Sequence, residues 1–221
     1  MNAGRLARTY RWLEYAAFGR LLERCRFAHL PQMTPARRVL ILGEGDGRFL
    51  ARFLATNRNA HVDVVESSPR MIAMARSRLS GSDARRVRFL AQDARAFHSP
   101  SSAYDLVVVH FFFDCLEEEE LRRLVGKLHS VLTPDALFVI SEFHAPGNGF
   151  ARWHALAWIR VMYLFFRWTT GLAVQQIPPY EATLAGVGFV LRNRMEWRWG
   201  LVRAEVFARS DHRADPAKPM R

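Results

Sequence analysis

The stretch from Val39 to Leu50, VLILGEGDGRFL, decides how the rest of the chain is read. Four apolar residues run into Gly43, Gly45 and Gly47, and apolar residues resume at Phe49. A strand that ends in alternate glycines can turn sharply into a helix and let a ligand approach its backbone. The acids Glu44 and Asp46 between the glycines would repel a phosphate, the usual guest of such a helix N-terminus. A dinucleotide loop would need glycine where Arg48 stands, and no Gly-Lys-Ser/Thr follows for a phosphate loop. The loop suits a ligand with a cationic end.

Working outward, short apolar runs at 38–42, 61–66, 86–93, 104–112, 136–143, 189–197 and 201–209 read as strands. Helical stretches fall between them at 47–56, 69–79 and 117–132. In the last, Leu121, Leu124, Val125, Leu128 and Leu132 keep a 3/4 spacing and Glu117–Glu120 occupy the first turn. Strand–helix alternation predicts an α/β fold, a mostly parallel seven-stranded sheet with helices on both faces. Only a few residues around Trp199 and Gly200 join the last two strands, so they form a hairpin and the last strand runs antiparallel. Residues 1–36 read as an N-terminal helical lid, 37–210 as the main domain with 145–186 as a helical insertion, and 211–221 as a flexible tail.

The 221 residues, 50% of them hydrophobic, suit one domain with a full core. A net charge of +11 suits contact with nucleic acid, an anionic membrane surface or an acidic substrate. Cys25 and Cys115 form no C-x-x-C pair, which argues against a disulfide framework or structural zinc and fits a reducing compartment. The N-terminal stretch has Arg at short intervals and lacks a signal peptide's apolar core. Trp153–Trp168, 16 residues interrupted by His154, Arg160 and Arg167, is short for a membrane span. A cytoplasmic location is expected. Nothing in the sequence sets an oligomeric state.

The glycine stretch resembles the first motif of class I S-adenosylmethionine-dependent methyltransferases, and five further motifs follow in the family's order. Glu66 ends the second strand 19 residues after Gly47, and ESSPRMIAMAR, AQDAR, YDLVVVHFFFD, LHSVLTPDALFVISEF and the closing GVGFVLRNRMEW and LVRAEVFAR resemble later segments. The resemblance implies a Rossmann-like fold over about 36–209 with S-adenosyl-L-methionine as cofactor and S-adenosyl-L-homocysteine as product. By that resemblance Gly43, Glu44 and Gly45 hold the methionine end, Glu66 with Ser67 the ribose, and Met71 packs on the adenine. Asp93 takes the adenine amino group, the Ala94 amide meets the ring, and Tyr15 closes over the cofactor from the lid. The family usually carries an acid two residues before the first glycine; here Ile41 stands there. Glu44 is expected to replace it by pairing with the cofactor's ammonium or with Arg48.

In a sheet of this kind ligands lie across the carboxyl ends of the strands. His110 and Asp114 follow the fourth strand, and Glu142 and His144 close the fifth. His110 is the candidate base, oriented by Asp114 or Glu142; the alternative gives His110 only a backbone contact with the cofactor. No metal is expected. The aromatic segment 153–168 reads either as a packed helix or as the wall of a hydrophobic acceptor site, with Arg160, Tyr163, Arg167 and His144 as acceptor-binding residues. QIPPY (176–180) looks like the amine-methylating box, but that box belongs after strand four and its first slot here is Ile177. These signals favour a hydrophobic small-molecule acceptor, aromatic or quinone-like. The alternatives are an RNA methyltransferase using the basic surface, which would interleave its aromatics with Lys and Arg, and a non-catalytic cofactor-binding protein.

Overall fold

The computed structural model describes residues 20–99, 103–145 and 177–210, with positions 149, 153, 156 and 157 between them. Two short helices, α1 (Leu21–Phe27) and α2 (Leu30–Met33), lead into β1 (Arg38–Leu42). The chain then alternates through α3 (Arg48–Thr56), β2 (His61–Val65), α4 (Pro69–Ser77), α5 (Gly81–Ala84), β3 (Val87–Leu90), β4 (Tyr104–His110), α6 (Glu118–His129) and β5 (Leu132–Phe143). It resumes with α7 (Tyr180–Gly186), β6 (Phe189–Trp197) and β7 (Val202–Arg209). The seven strands form one sheet in the order β3-β2-β1-β4-β5-β7-β6. As expected, β7 alone runs against the others, and it lies between β5 and β6. The hairpin explains this: β6 crosses to the edge, and β7 returns antiparallel into the gap beside β5.

The central strands are buried on both faces because they are apolar at consecutive positions, while the edge strand β6 is largely exposed. Val39 and Ile41 of β1 point to one face with Phe49, Leu50, Phe53 and Leu54 of α3 and Met33 of α2. Leu40 and Leu42 point to the other, against Leu121, Leu124, Val125 and Leu128 of α6 and Leu184 of α7. Each large side chain so enclosed contributes about 1.5–3 kcal/mol. Two boundaries differ from the sequence reading. Helix α6 stops at His129, where Val131 N–H bonds the Leu128 carbonyl. Strand β5 starts at Leu132, opposite Tyr104, and a register shift then passes Pro134 before regular pairing begins at Leu137.

Helix α1 is fastened to the last strand. Cys25 Sγ donates to the Arg203 carbonyl at 3.2 Å, His29 Nε2 meets the Ala204 carbonyl at 3.0 Å, and Ser141 Oγ donates to the Cys25 carbonyl at 3.3 Å. On the opposite face the Pro-Pro-Tyr of 178–180 opens α7, and Tyr180 donates its hydroxyl to the enclosed Glu205 at 2.9 Å. That gives the segment a packing role in the sheet.

Candidate functional site

The glycine loop is built by its own acids. Gly43, Gly45 and Gly47 all have positive φ, +66°, +69° and +85°. Side chains at Gly43 and Gly47 would also collide, a Cβ on the former meeting Phe112 at 2.9 Å and one on the latter Ala75 at 2.5 Å. Gly45 faces open space, with nothing within 4 Å of such a Cβ. Helix α3 begins after Gly47, which has no side chain to cap it, so Glu44 does the capping: its Oε1 accepts from Leu50 N–H at 2.9 Å. Asp46 binds Arg48 Nε at 3.1 Å and Arg78 at 3.0 Å. Arg48 is therefore Asp46's partner, and the expected Glu44–Arg48 pairing gives way to it. The acids suit the loop because each answers a local donor.

Beyond the loop, Glu66 ends β2 with Oε2 accepting from Gly45 N–H at 3.3 Å and Oε1 from Ser68 N–H at 2.9 Å. Ser67 is exposed beside it. Ser68 caps α4 by accepting from Met71 N–H, which fixes the turn that carries Met71. After β3, Asp93 starts a 3₁₀ turn at Ala94–Ala96 and is gripped by the Arg95 guanidinium, which holds its carboxyl below the usual range. Ala94 is buried under it.

A cavity of about 150 Å³ opens at the carboxyl ends of β1 and β4. Gly43–Asp46 form one wall, Met71 and Met74 of α4 another, and Phe49, His110, Phe111 and Arg26 complete it. His110 is enclosed, with its ring edge-on to Phe49 at 4.5 Å, and among the described residues neither ring nitrogen has a hydrogen-bond partner. Burial, then the positive Arg26 and the nearby His29, push its pKa well below the ordinary value, so the imidazole is neutral. Phe111, next along, sits in the left-handed region at φ 54° and is held between Phe143 at 5.0 Å and the Arg26 guanidinium at 5.2 Å. A non-glycine residue in that conformation costs about 1–3 kcal/mol and is common at ligand sites.

The expected grouping of His110 with Asp114 and Glu142 is corrected by the pleat. His110 is in register with Ser141, so it shares Ser141's face of the sheet, and Glu142 points to the other. There Glu142 Oε1 accepts from Phe112 N–H at 2.8 Å and Phe113 N–H at 2.7 Å. Asp114 is buried by the same turn, accepts from Cys115 Sγ at 3.4 Å, and is pushed up to about 6 by burial. Neither acid orients His110. His144, half-buried past the end of β5, is not part of the cavity lining; burial and then Arg203 lower it to about 4. Tyr15, Arg160, Tyr163 and Arg167, with most of the lid and of the insertion, lie outside the described residues. Among the described residues no cluster of three His, Cys, Asp or Glu is arranged to hold a metal ion, and no helix is long and apolar enough to cross a membrane.

Sequence reasoning missed Arg26, Met74 and Phe49. Met74 is one helical turn after Met71 and Phe49 opens the α3 periodicity, so both were within reach of helical spacing. Arg26 had no local signal, since only the docking of α1 on β7 brings it here.

Residues 39–135 match the model of a family described as "Methyltransferase domain". The chain is 34% identical over 121 residues to polyamine aminopropyltransferase 2 of Bacillus cereus, covering 50% of this chain and 33% of that one. It spans about a third of the length of the first curated relatives it matches. Among solved structures it resembles the mitomycin 7-O-methyltransferase MmcR, with a TM-score of 0.65 and 16% identity over 87% of this chain and 55% of that one. It also resembles the 1,6-didemethyltoxoflavin-N1-methyltransferase of Burkholderia thailandensis, solved with that substrate and S-adenosylhomocysteine. There the TM-score is 0.62 and the identity 20%, over 95% and 89% of the two chains.

Proposed function

We propose that this chain, which carries the methyltransferase domain of the class I S-adenosylmethionine-dependent fold, methylates a hydrophobic small molecule. The observation that carries the reading is a cavity in which the glycine loop meets His110, whose ring nitrogens have no hydrogen-bond partner among the described residues. Its residues fit the donor: positive-φ glycines keep side chains off the loop, Gly45 opens on clear space, and Met71, Met74 and Phe49 offer apolar surface. Glu66 stands at the ribose-binding position of the motif with its carboxylate held by backbone N–H groups. S-adenosylmethionine, when bound, supplies an electrophilic methyl group on a sulfonium.

The chain's own contribution is orientation and exclusion of water. A neutral His110 of lowered basicity is a poor base toward an alcohol but accepts a hydrogen bond from an acidic hydroxyl or an amine N–H. It therefore favours phenol-like, enol-like or amine acceptors that need little help to lose a proton. Ile41, Phe49 and Phe111 make the surroundings apolar. The aromatic segment 153–168, with Arg160, Tyr163 and Arg167, is assigned to the acceptor side on its sequence, and Tyr15 to the lid.

The test supplies methyl-labelled S-adenosylmethionine with three acceptor classes: a panel of phenols and quinols, total RNA, and polyamines. Label in an organic-extractable product, lost in His110→Ala while S-adenosylhomocysteine still binds, is the expected result. Label in RNA would move the function to the basic surface, and binding without any labelled product would make the protein a non-catalytic cofactor binder.

A further inference from the structure

Strand β5 reaches past its own ladder to hold the turn that follows β4. Phe111 N–H continues the sheet by bonding the Ser141 carbonyl at 2.7 Å. The next two amides leave the sheet and converge on one atom: Phe112 and Phe113 N–H donate to Glu142 Oε1 at 2.8 and 2.7 Å. Phe111 is left-handed at φ 54°, and Phe112 follows at φ −130° and ψ −35°. A turn of this kind aims successive N–H groups at a common point and makes a concavity for an acceptor. Here the occupant is the protein's own carboxyl group. A left-handed phenylalanine persists only where its surroundings over-determine it.

The two rings carried by the turn go separate ways. Phe111 lines the cavity and packs on Phe143 at 5.0 Å. Phe112 lies over the glycine loop, where a Cβ at Gly43 would meet its ring at 2.9 Å. Glu142 lines neither the cavity nor the loop, yet both rings hang from the amides it holds. Stability alone does not call for a glutamate here. The residue is 0% exposed, and its Oε2 has no hydrogen-bond partner among the described residues. An apolar side chain would avoid the cost of that buried oxygen but would release the turn.

We propose that Glu142 is a positioning residue for methyl transfer: by holding the Phe112 and Phe113 amides it keeps the Phe111 ring in the cavity wall and the Phe112 ring seated on Gly43. The cavity wall and the glycine loop are thereby set against each other from a strand that lies outside both. For its ligand readout the proposal rests on the donor assignment above; for the rest it rests on the 111–113 turn.

The test combines calorimetry with S-adenosylhomocysteine and amide hydrogen exchange read by mass spectrometry, both on the full chain well below its melt. Glu142→Ala should bind S-adenosylhomocysteine about tenfold more weakly, a coupling of the size found between side chains in contact. Glu142→Gln keeps an acceptor oxygen and should recover most of the affinity. Phe112→Ala should weaken binding by a similar factor, and the double variant Glu142→Ala/Phe112→Ala should be no worse than the weaker single, since both break the same route. In exchange, Glu142→Ala should speed the amides of 111–113 and of 43–47 while those of β2 keep their protection. A residue that only stabilises the fold would raise exchange in the most protected amides together and leave the affinity of the folded protein alone. Unchanged affinity in Glu142→Ala, additive losses in the double variant, or exchange that rises evenly across β2 and the turn would each overturn the proposal. If Glu142→Ala lacks a cooperative melt, Glu142→Asp replaces it: with one methylene fewer its carboxyl falls short of the two amides, and it should loosen the same two segments. If the wild type fails to bind S-adenosylhomocysteine, the donor assignment falls, and the exchange pattern alone decides for or against Glu142.

Discussion

Glu142 and Glu205 lie on neighbouring strands, both wholly enclosed, and the protein accommodates them in opposite ways. Glu205 is answered by charge: Arg194 and the Tyr180 hydroxyl take its two oxygens, and Arg194 continues to Glu181 and Arg203. Glu142 is answered by backbone N–H groups on one oxygen, while the other has no hydrogen-bond partner among the described residues. Burial and then the Asp114 charge push its pKa well up. Glu44 and Glu66 beside the cavity follow the Glu142 pattern, held by main-chain donors. In a chain this rich in arginine the contrast separates two uses of an acid. A carboxylate locked by guanidinium is committed to the fold, whereas one held by the backbone keeps capacity for another partner.

The largest effect should come from breaking the first kind. Glu205→Ala strands Arg194 and the Tyr180 hydroxyl, and urea denaturation should show a loss of about 3–5 kcal/mol. A loss below about 1 kcal/mol would remove the contrast. Glu142→Ala leaves two N–H groups without an acceptor and should cost about 2–3 kcal/mol. Glu142→Gln keeps an acceptor oxygen and should cost less. The pH dependence sharpens this. Glu142 and Asp114 both have raised pKa values in the fold, so the folded state binds protons the unfolded chain has released. Stability therefore falls as pH rises above the ordinary carboxylate range, and Glu142→Gln should flatten that fall, most clearly above about pH 6 where Asp114 is ionised. An unchanged slope would show that the pair does not titrate in the fold.

Next in size is the ligand side. Glu66→Ala should weaken S-adenosylhomocysteine by about 1.5–3 kcal/mol in calorimetry. Glu44, held protonated until about pH 8, has to ionise to meet an ammonium, so affinity should rise with pH toward that value and Glu44→Gln should lose the rise. Asp93 should matter least. The half-exposed Arg95 fork already occupies both its oxygens, so Asp93→Ala should cost about 1 kcal/mol of affinity or less. A loss as large as that of Glu66→Ala would mean the ligand displaces Arg95.

The sheet was legible because its strands are short apolar runs bounded by turn residues, and β1 and β6 coincide with the sequence reading to the residue. The glycine loop was legible because its geometry is local, with φ, spacing and cap within twelve residues. The grouping of His110 with Glu142 failed because it depended on register. Which face a strand residue takes is fixed by the pleat, but which residues of β4 and β5 are level follows from the bulge after Tyr104, which no local pattern announces. The role of Glu44 was half legible: its acidity in the loop was noticed, while its capping of Leu50 needed the turn itself.

The fastening of α1 to β7 has a consequence in time. His29 and Ala204 are 175 positions apart, and Cys25 and Arg203 are 178. During synthesis the glycine loop, Glu66 and Met71 all emerge well before β7, yet the wall that carries Arg26 can settle only once the last strand has inserted beside β5. Loop closures this long are slow to form. A nascent chain halted before residue 200 would hold the nucleoside half of the pocket without its Arg26 wall.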